Sequence, residues 1–184
     1  LLVQGRGTDR LDALGLLALK DPRLCRTWNH WQRFLPAAWQ RWGVAIVRHP
    51  FAVVASIGYR DDMHPIKALA LWLRHNLEML PADPSSTQGA WPLLCFERLL
   101  VDADAELTQP LRQWRQGGLM VAATPGPGGP SRPLPAIPAQ LDGVDQAWQD
   151  LALRFYRALT TAHRLDQVDP AICAEVDQQL NQQP

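Results

Sequence analysis

Lysine is nearly missing from this chain: 16 of its 18 basic residues are arginine, leaving only Lys20 and Lys67. Long apolar runs are missing as well. No stretch reaches the ~18 residues that a membrane-spanning helix requires, and no basic leader ahead of an apolar segment marks a signal peptide. The expectation is a soluble globular protein. Cysteine is scarce, odd in number and widely spaced (Cys25, Cys95, Cys173), which fits reduced, mostly buried thiols in a cytoplasmic protein better than a disulfide framework. His30, His49, His64, His75 and His163 share no ligand spacing with those cysteines or with one another, so no metal site is expected. Gly-x-x-x-x-Gly-Lys-Ser/Thr is absent, which argues against a P-loop kinase. Gly-x-Ser-x-Gly is absent too, which argues against a Ser-His-Asp hydrolase. No basic run with interleaved aromatics favours a nucleic-acid partner.

What is present is a 184-residue chain with 47% apolar residues, enough for one domain with a sizeable core. The net charge of zero is unevenly spread. Residues 1–60 carry nine Lys/Arg against three Asp/Glu, and residues 61–184 carry nine against fifteen. The basic third holds the most informative segment, Val44-Ala-Ile-Val-Arg-His-Pro-Phe-Ala-Val-Val-Ala-Ser56 with Arg60 beyond it. The β-branched run Val44 to Val47 reads as a buried strand. His49-Pro50 breaks it, since proline cannot continue a central strand but suits the first turn of a helix. Phe51 to Arg60 reads as that helix, with Ser56 and Arg60 on one face at i, i+4. Arg48, Ser56 and Arg60 beside a strand-to-helix turn make an anion site, with phosphate the best fit. Solvated ion pairs and a helical serine without a role are the alternative.

Leu14 to Leu19 reads as another strand, ending at Lys20-Asp21-Pro22-Arg23, and Cys25 to Trp42 as helical in parts. Asp61-Asp62-Met63-His64-Pro65 signals a helix start. Ile66, Leu69, Ala70, Leu73, Leu77 and Leu80 then give the helical period. Trp91 to Phe96 reads as a third strand ending at Glu97-Arg98, and Asp102 caps a helix to about Gln116. Six prolines and three glycines between Thr124 and Pro138 mark a loop or linker. Gln146 to Arg164 is helical in pattern, and a frayed Gln-rich tail is expected after it. The order implies an α/β fold: three layers, a mostly parallel sheet flanked by helices, with ligands beyond the carboxyl ends of the strands. All three strands are expected to deliver polar residues to that edge. The expected division is an α/β unit over 1–116, a Pro/Gly-rich loop over 117–140 and a C-terminal helical segment over 141–184. Because the chain opens on Leu1-Leu2 as if in mid-domain, an incomplete domain is expected.

Lys20-Asp21-Pro22-Arg23, Val47-Arg48-His49-Pro50 with Ser56, and Phe96-Glu97-Arg98-Leu99 together resemble successive motifs of bacterial sulfotransferase-family proteins. These use 3′-phosphoadenosine 5′-phosphosulfate (PAPS) as donor. The stretch from Arg48 to Met79 is also similar to the tyrosylprotein sulfotransferases. The resemblance covers about residues 14–116. It implies a P-loop-NTPase-like fold and transfer of a sulfuryl group from PAPS to a hydroxyl or amine acceptor. It implies that Arg48, Ser56 and Arg60 hold the donor's 3′-phosphate. Phe96 stands in the family's tyrosine position near the adenine, keeping the ring and losing the hydroxyl. Lys20 matches the lysine that stabilises the transferring group, apt chemistry for charge developing on the bridging oxygen. The family's 5′-phosphosulfate loop and usual general base have no counterpart here. Since positioning contributes on the order of 7–11 kcal/mol to such reactions, the 184-residue form is expected to have little or no activity by itself.

Two readings of Asp21 stand side by side: a base or an orienter of Lys20, or an ion pair with Arg23 or Arg26. Most of the eight tryptophans read as packing anchors, with one or two left to line an acceptor cleft. The rival to an enzyme is a non-catalytic remnant that keeps the nucleotide site or binds a partner.

Overall fold

A computed structural model describes residues 2–4, 17–82, 88, 90–119 and 136–182, with residues 2–4 and 17–18 described through their backbone. The β-branched run forms a strand, β4 (Ala45–Val47), preceded in the chain by β1 (Leu2–Gln4), β2 (Leu17–Ala18), α1 (Leu24–Trp31) and β3 (Gln40–Trp42). Proline at the first helical position then starts α2 (Pro50–Asp61) and, after a short turn, α3 (Pro65–Glu78). Both helices open on a His-Pro pair. His49 Nδ1 accepts the N–H of Phe51 at 3.2 Å and His64 Nδ1 accepts that of Ile66 at 3.4 Å, so each imidazole satisfies a donor that the helix start leaves unpaired. Asp62, at φ 50°, ends α2 in the left-handed region.

The two helices form the crossover that a parallel pair needs. β5 (Leu93–Cys95) returns alongside β4 in parallel register, Ala45 opposite Leu93 and Val47 opposite Cys95. The outer edge of β5 is occupied: Leu93 N–H donates to His163 O at 3.0 Å and Leu165 N–H to Trp91 O at 3.2 Å. Beyond β5 come α4 (Phe96–Val101), α5 (Ala103–Gln116), α6 (Gln146–Thr161), a 3-10 turn (Leu165–Gln167) and α7 (Pro170–Asn181). The main core joins β4 and β5 to α2, α3, α6 and α7, with Leu69, Leu73, Phe155, Leu159 and Val176 fully enclosed. A smaller cluster of Trp28, Leu35 and Trp39 packs against Trp91.

The mixed α/β character matches the expectation, and several details depart from it. The first expected strand is described only as β2, and it does not join β4 and β5. It pairs antiparallel with β1, which also pairs antiparallel with β3. Two of the three described ladders are therefore antiparallel, so a mostly parallel sheet is not what these residues build. Antiparallel pairing does not demand the long crossover that a parallel partner would. The third strand, expected over Trp91 to Phe96, is the shorter β5, and Phe96-Glu97-Arg98 opens α4 directly after it. The tail expected to fray is α7 through Asn181, with Val176 fully buried and Ile172 nearly so. Most of the 117–140 loop lies outside the described residues.

Candidate anion site at the carboxyl end of the parallel strands

Parallel register brings Arg48 and Phe96 to the same edge, each the residue that follows its strand. The Arg48 guanidinium carbon lies 5.1 Å from the Phe96 ring centre, within cation–π range. The peptide linking Arg48 to His49 is engaged at both ends. Trp72 Nε1–H from α3 donates to Arg48 O at 3.1 Å, and His49 N–H donates to Glu97 Oε1 at 2.9 Å.

Glu97 is itself braced. Its Oε2 accepts the Tyr156 hydroxyl at 2.9 Å and the Cys95 thiol at 3.5 Å. Burial alone would raise the Glu97 carboxyl, but the His49 amide and the Tyr156 hydroxyl hold it below its ordinary value. Burial, reinforced by Cys95 and Glu97, pushes the Tyr156 phenol strongly upward, so it remains a donor at neutral pH. His49 packs edge-on against Phe51 and Tyr156, with ring centres 5.3 and 5.0 Å away. Its burial lowers the imidazole pKa, and Glu97 opposes that shift.

Ser56 sits on the exposed side of α2. It is six residues past Pro50, about 9 Å along the axis at ~1.5 Å per residue. Arg60 lies a further turn along and is exposed; its Nη2 pairs with the neighbouring Asp61 Oδ2 at 2.6 Å. That hydrogen-bonded pair raises the arginine pKa and lowers that of Asp61. A phosphate would have to draw Arg60 from this partner.

Lys20 and Asp21 follow β2 and line a cavity of about 320 Å³ together with Ala45 and Ile46 of β4 and with Trp28, Trp91 and Leu165. Among the described residues, no hydrogen bond, ion pair or ring contact joins either of them to Arg48, Ser56, Arg60 or Phe96. Strand pairing brings two of the three expected strand ends side by side, those of β4 and β5. Of the readings of Asp21, the ion pair with Arg23 is formed: Oδ1 takes the Arg23 N–H at 2.7 Å and Oδ2 takes Nη2 at 2.9 Å. The Arg23 guanidinium holds this carboxyl far below the usual carboxylate range, which makes it a weak proton acceptor.

Glu97, Trp72 and Tyr156 contribute to the Arg48 edge; Glu97 was expected there as the polar residue at the end of the third strand, without a role assigned to it, and Trp72 and Tyr156 were not among the expected site residues. Glu97 carries a local signal, as the acidic residue beside Phe96. The others lie far from Arg48 in sequence and read as core residues. Among the described residues no group of three His, Cys, Asp or Glu could hold a metal ion, and no helix is long and apolar enough to cross a membrane. Compared with protein-family models, curated proteins and solved structures, the chain has no significant match.

Proposed function

We propose that the carboxyl edge of β4 and β5 binds the 3′-phosphate of PAPS, and that the protein is a sulfotransferase-family α/β domain. The observation that carries this reading is the placement of Arg48 over Phe96 at the ends of two parallel strands, with Ser56 on the helix that follows. An arginine gives a phosphate paired charge-assisted hydrogen bonds, the serine adds a hydroxyl donor, and Phe96 offers a ring surface to the nucleotide. In the transfer itself the sulfuryl group passes in line from the donor's 5′-phosphate oxygen to an acceptor hydroxyl or amine, releasing 3′,5′-ADP. Lys20 is assigned the charge developing on the bridging oxygen.

A second reading, nucleotide binding without transfer, is favoured by one observation. The Asp21 carboxylate is engaged by the Arg23 guanidinium. Calorimetric titration with 3′,5′-ADP tests what both readings share. Binding that weakens in Arg48→Ala and in Ser56→Ala supports them; no binding, or binding unchanged in Arg48→Ala, rejects them. Release of 3′,5′-ADP from PAPS in the presence of an acceptor then separates transfer from binding alone.

A further inference from the structure

We infer that Glu97 and Trp72 are positioning residues that fix the Arg48–His49 peptide and thereby aim Arg48 at the 3′-phosphate. The inference rests on the reading of Arg48 given above. Arg48 O and His49 N–H belong to one peptide unit. Its carbonyl is held from α3 by the Trp72 indole at 3.1 Å, and its amide is held from α4 by the Glu97 carboxylate at 2.9 Å. Turning this peptide, which leads into the N-cap residue of α2, would break both bonds. A buried polar group left without its partner is costly, so the two side chains select one orientation of the backbone that carries the guanidinium. Trp72 is well placed for this role: its ring is buried and packs edge-on against Phe155 with centres 6.0 Å apart. Glu97 is steadied by Tyr156 on α6. Three helices thus converge on one peptide at the strand end.

Charge and positioning predict opposite outcomes at Glu97. If its carboxylate mattered through its negative charge, removing that charge would tighten binding of a phosphate. If it matters as an acceptor for the His49 amide, alanine weakens phosphate recognition and glutamine, whose side-chain carbonyl accepts the same hydrogen bond, preserves it.

The experiment is calorimetric titration of the wild-type chain, Arg48→Ala, Glu97→Ala, Glu97→Gln and Trp72→Phe with 3′,5′-ADP and with 5′-AMP. The ratio of the two affinities isolates the 3′-phosphate, and a general loosening of the fold would lower both alike and leave the ratio unchanged. The expected result is a ratio reduced about tenfold in Glu97→Ala, reduced several-fold in Trp72→Phe, and kept within about twofold in Glu97→Gln. An unchanged ratio in Glu97→Ala and Trp72→Phe, with the ratio lost in Arg48→Ala, overturns the positioning role while sparing the phosphate reading. Tighter 3′,5′-ADP binding in both Glu97 variants overturns it as well. If the wild-type chain does not distinguish the two nucleotides, the phosphate reading fails and the positioning role falls with it. Should Glu97→Ala not fold, Trp72→Phe decides, because it removes the N–H and keeps most of the ring.

Discussion

The Arg48 guanidinium lies over the Phe96 ring, 5.1 Å from its centre, although the two residues are far apart in sequence. The parallel register of β4 and β5 makes the contact possible, since it ends both strands at one level. The ring holds the guanidinium at the strand edge without neutralising it, so the charge remains available to an anion. Arg60, by contrast, pairs with the adjacent Asp61, and Arg98 pairs with Glu106 and donates to Thr160 O.

Replacing Phe96 should therefore be felt in binding. A cation–π contact contributes about 0.5–1 kcal/mol at an exposed site and more when desolvated. Phe96→Ala is expected to weaken 3′,5′-ADP binding two- to several-fold by calorimetry. An unchanged dissociation constant would mean that the ring does not hold Arg48 for the ligand.

Gly43 is required by packing. A Cβ built there would fall 2.1 Å from Trp91 Cδ2, and Trp91 in turn packs at a tilt against Trp28 with ring centres 5.2 Å apart. Gly43→Ala is expected to destabilise the fold by roughly 1–3 kcal/mol, the usual range for overpacking, read as a lower urea midpoint. A midpoint equal to that of the wild type would show that the ring moves aside without cost.

His49 makes stability depend on pH. Its cap needs a neutral Nδ1 to accept the Phe51 amide, and burial lowers its folded-state pKa from 6.5. A lowered folded pKa gives stability that is present above the unfolded value and lost as pH falls below it. The thermal midpoint should fall as pH drops below 6.5. His75 is shifted in the same direction, chiefly by burial, so a comparison is needed to isolate His49. In His49→Asn, which keeps a capping oxygen that does not titrate, the fall should be shallower. Identical pH profiles for the two proteins would remove His49 from the explanation.

Adjacent positions on α6 should differ sharply. Phe155 is fully buried against Trp72, and Phe155→Ala is expected to cost about 3–5 kcal/mol. Arg154 pairs with Glu175, but both side chains are about half exposed, so Arg154→Ala should cost under ~1 kcal/mol. Denaturant unfolding of the two variants checks the contrast, and similar losses would contradict it.

Gln149 is a buried polar residue with a structural role. Its Oε1 accepts the Leu141 N–H at 2.8 Å, and its Nε2 donates to Leu141 O at 3.1 Å and Val144 O at 3.0 Å. Gln149→Leu is expected to destabilise by roughly 1–3 kcal/mol despite its apolar surroundings, because it strands buried backbone groups. A variant as stable as the wild type in urea would show that those groups find water or other partners.

The β4–α2 junction was legible in sequence because each signal was local: a β-branched run, a strand-breaking proline, a helical period. The same held for α3 with its His64-Pro65 start and for α5 with its Asp102 cap, whose Oδ1 accepts the Ala105 N–H at 2.9 Å. β3 was missed because three polar and aromatic residues acquire strand form only by pairing with Leu2–Gln4, which no local pattern announces. α4 was missed because no turn former separates it from β5. α7 did carry a signal, Asp169 capping Ala171 ahead of Pro170, but its Gln-rich surface outweighed its few core residues. Arg48 was found from its place at a strand end. Its contacts with Trp72 and Glu97, 24 and 49 residues away, are set by tertiary packing, although Glu97 itself was expected at this edge from its place at a strand end. The expectation that the strand before Lys20 joins β4 and β5 in one sheet failed for the same reason: which strands pair was not written in the strands themselves.

The central claim is that the Arg48 edge recognises a 3′-phosphate, and the affinity of the wild-type chain for 3′,5′-ADP relative to 5′-AMP tests it most directly. The expected result is binding at least about tenfold tighter for 3′,5′-ADP, as a charge-assisted arginine–phosphate contact implies, with that advantage lost in Arg48→Ala. Equal affinities for the two nucleotides, or an advantage that survives in Arg48→Ala, would contradict it.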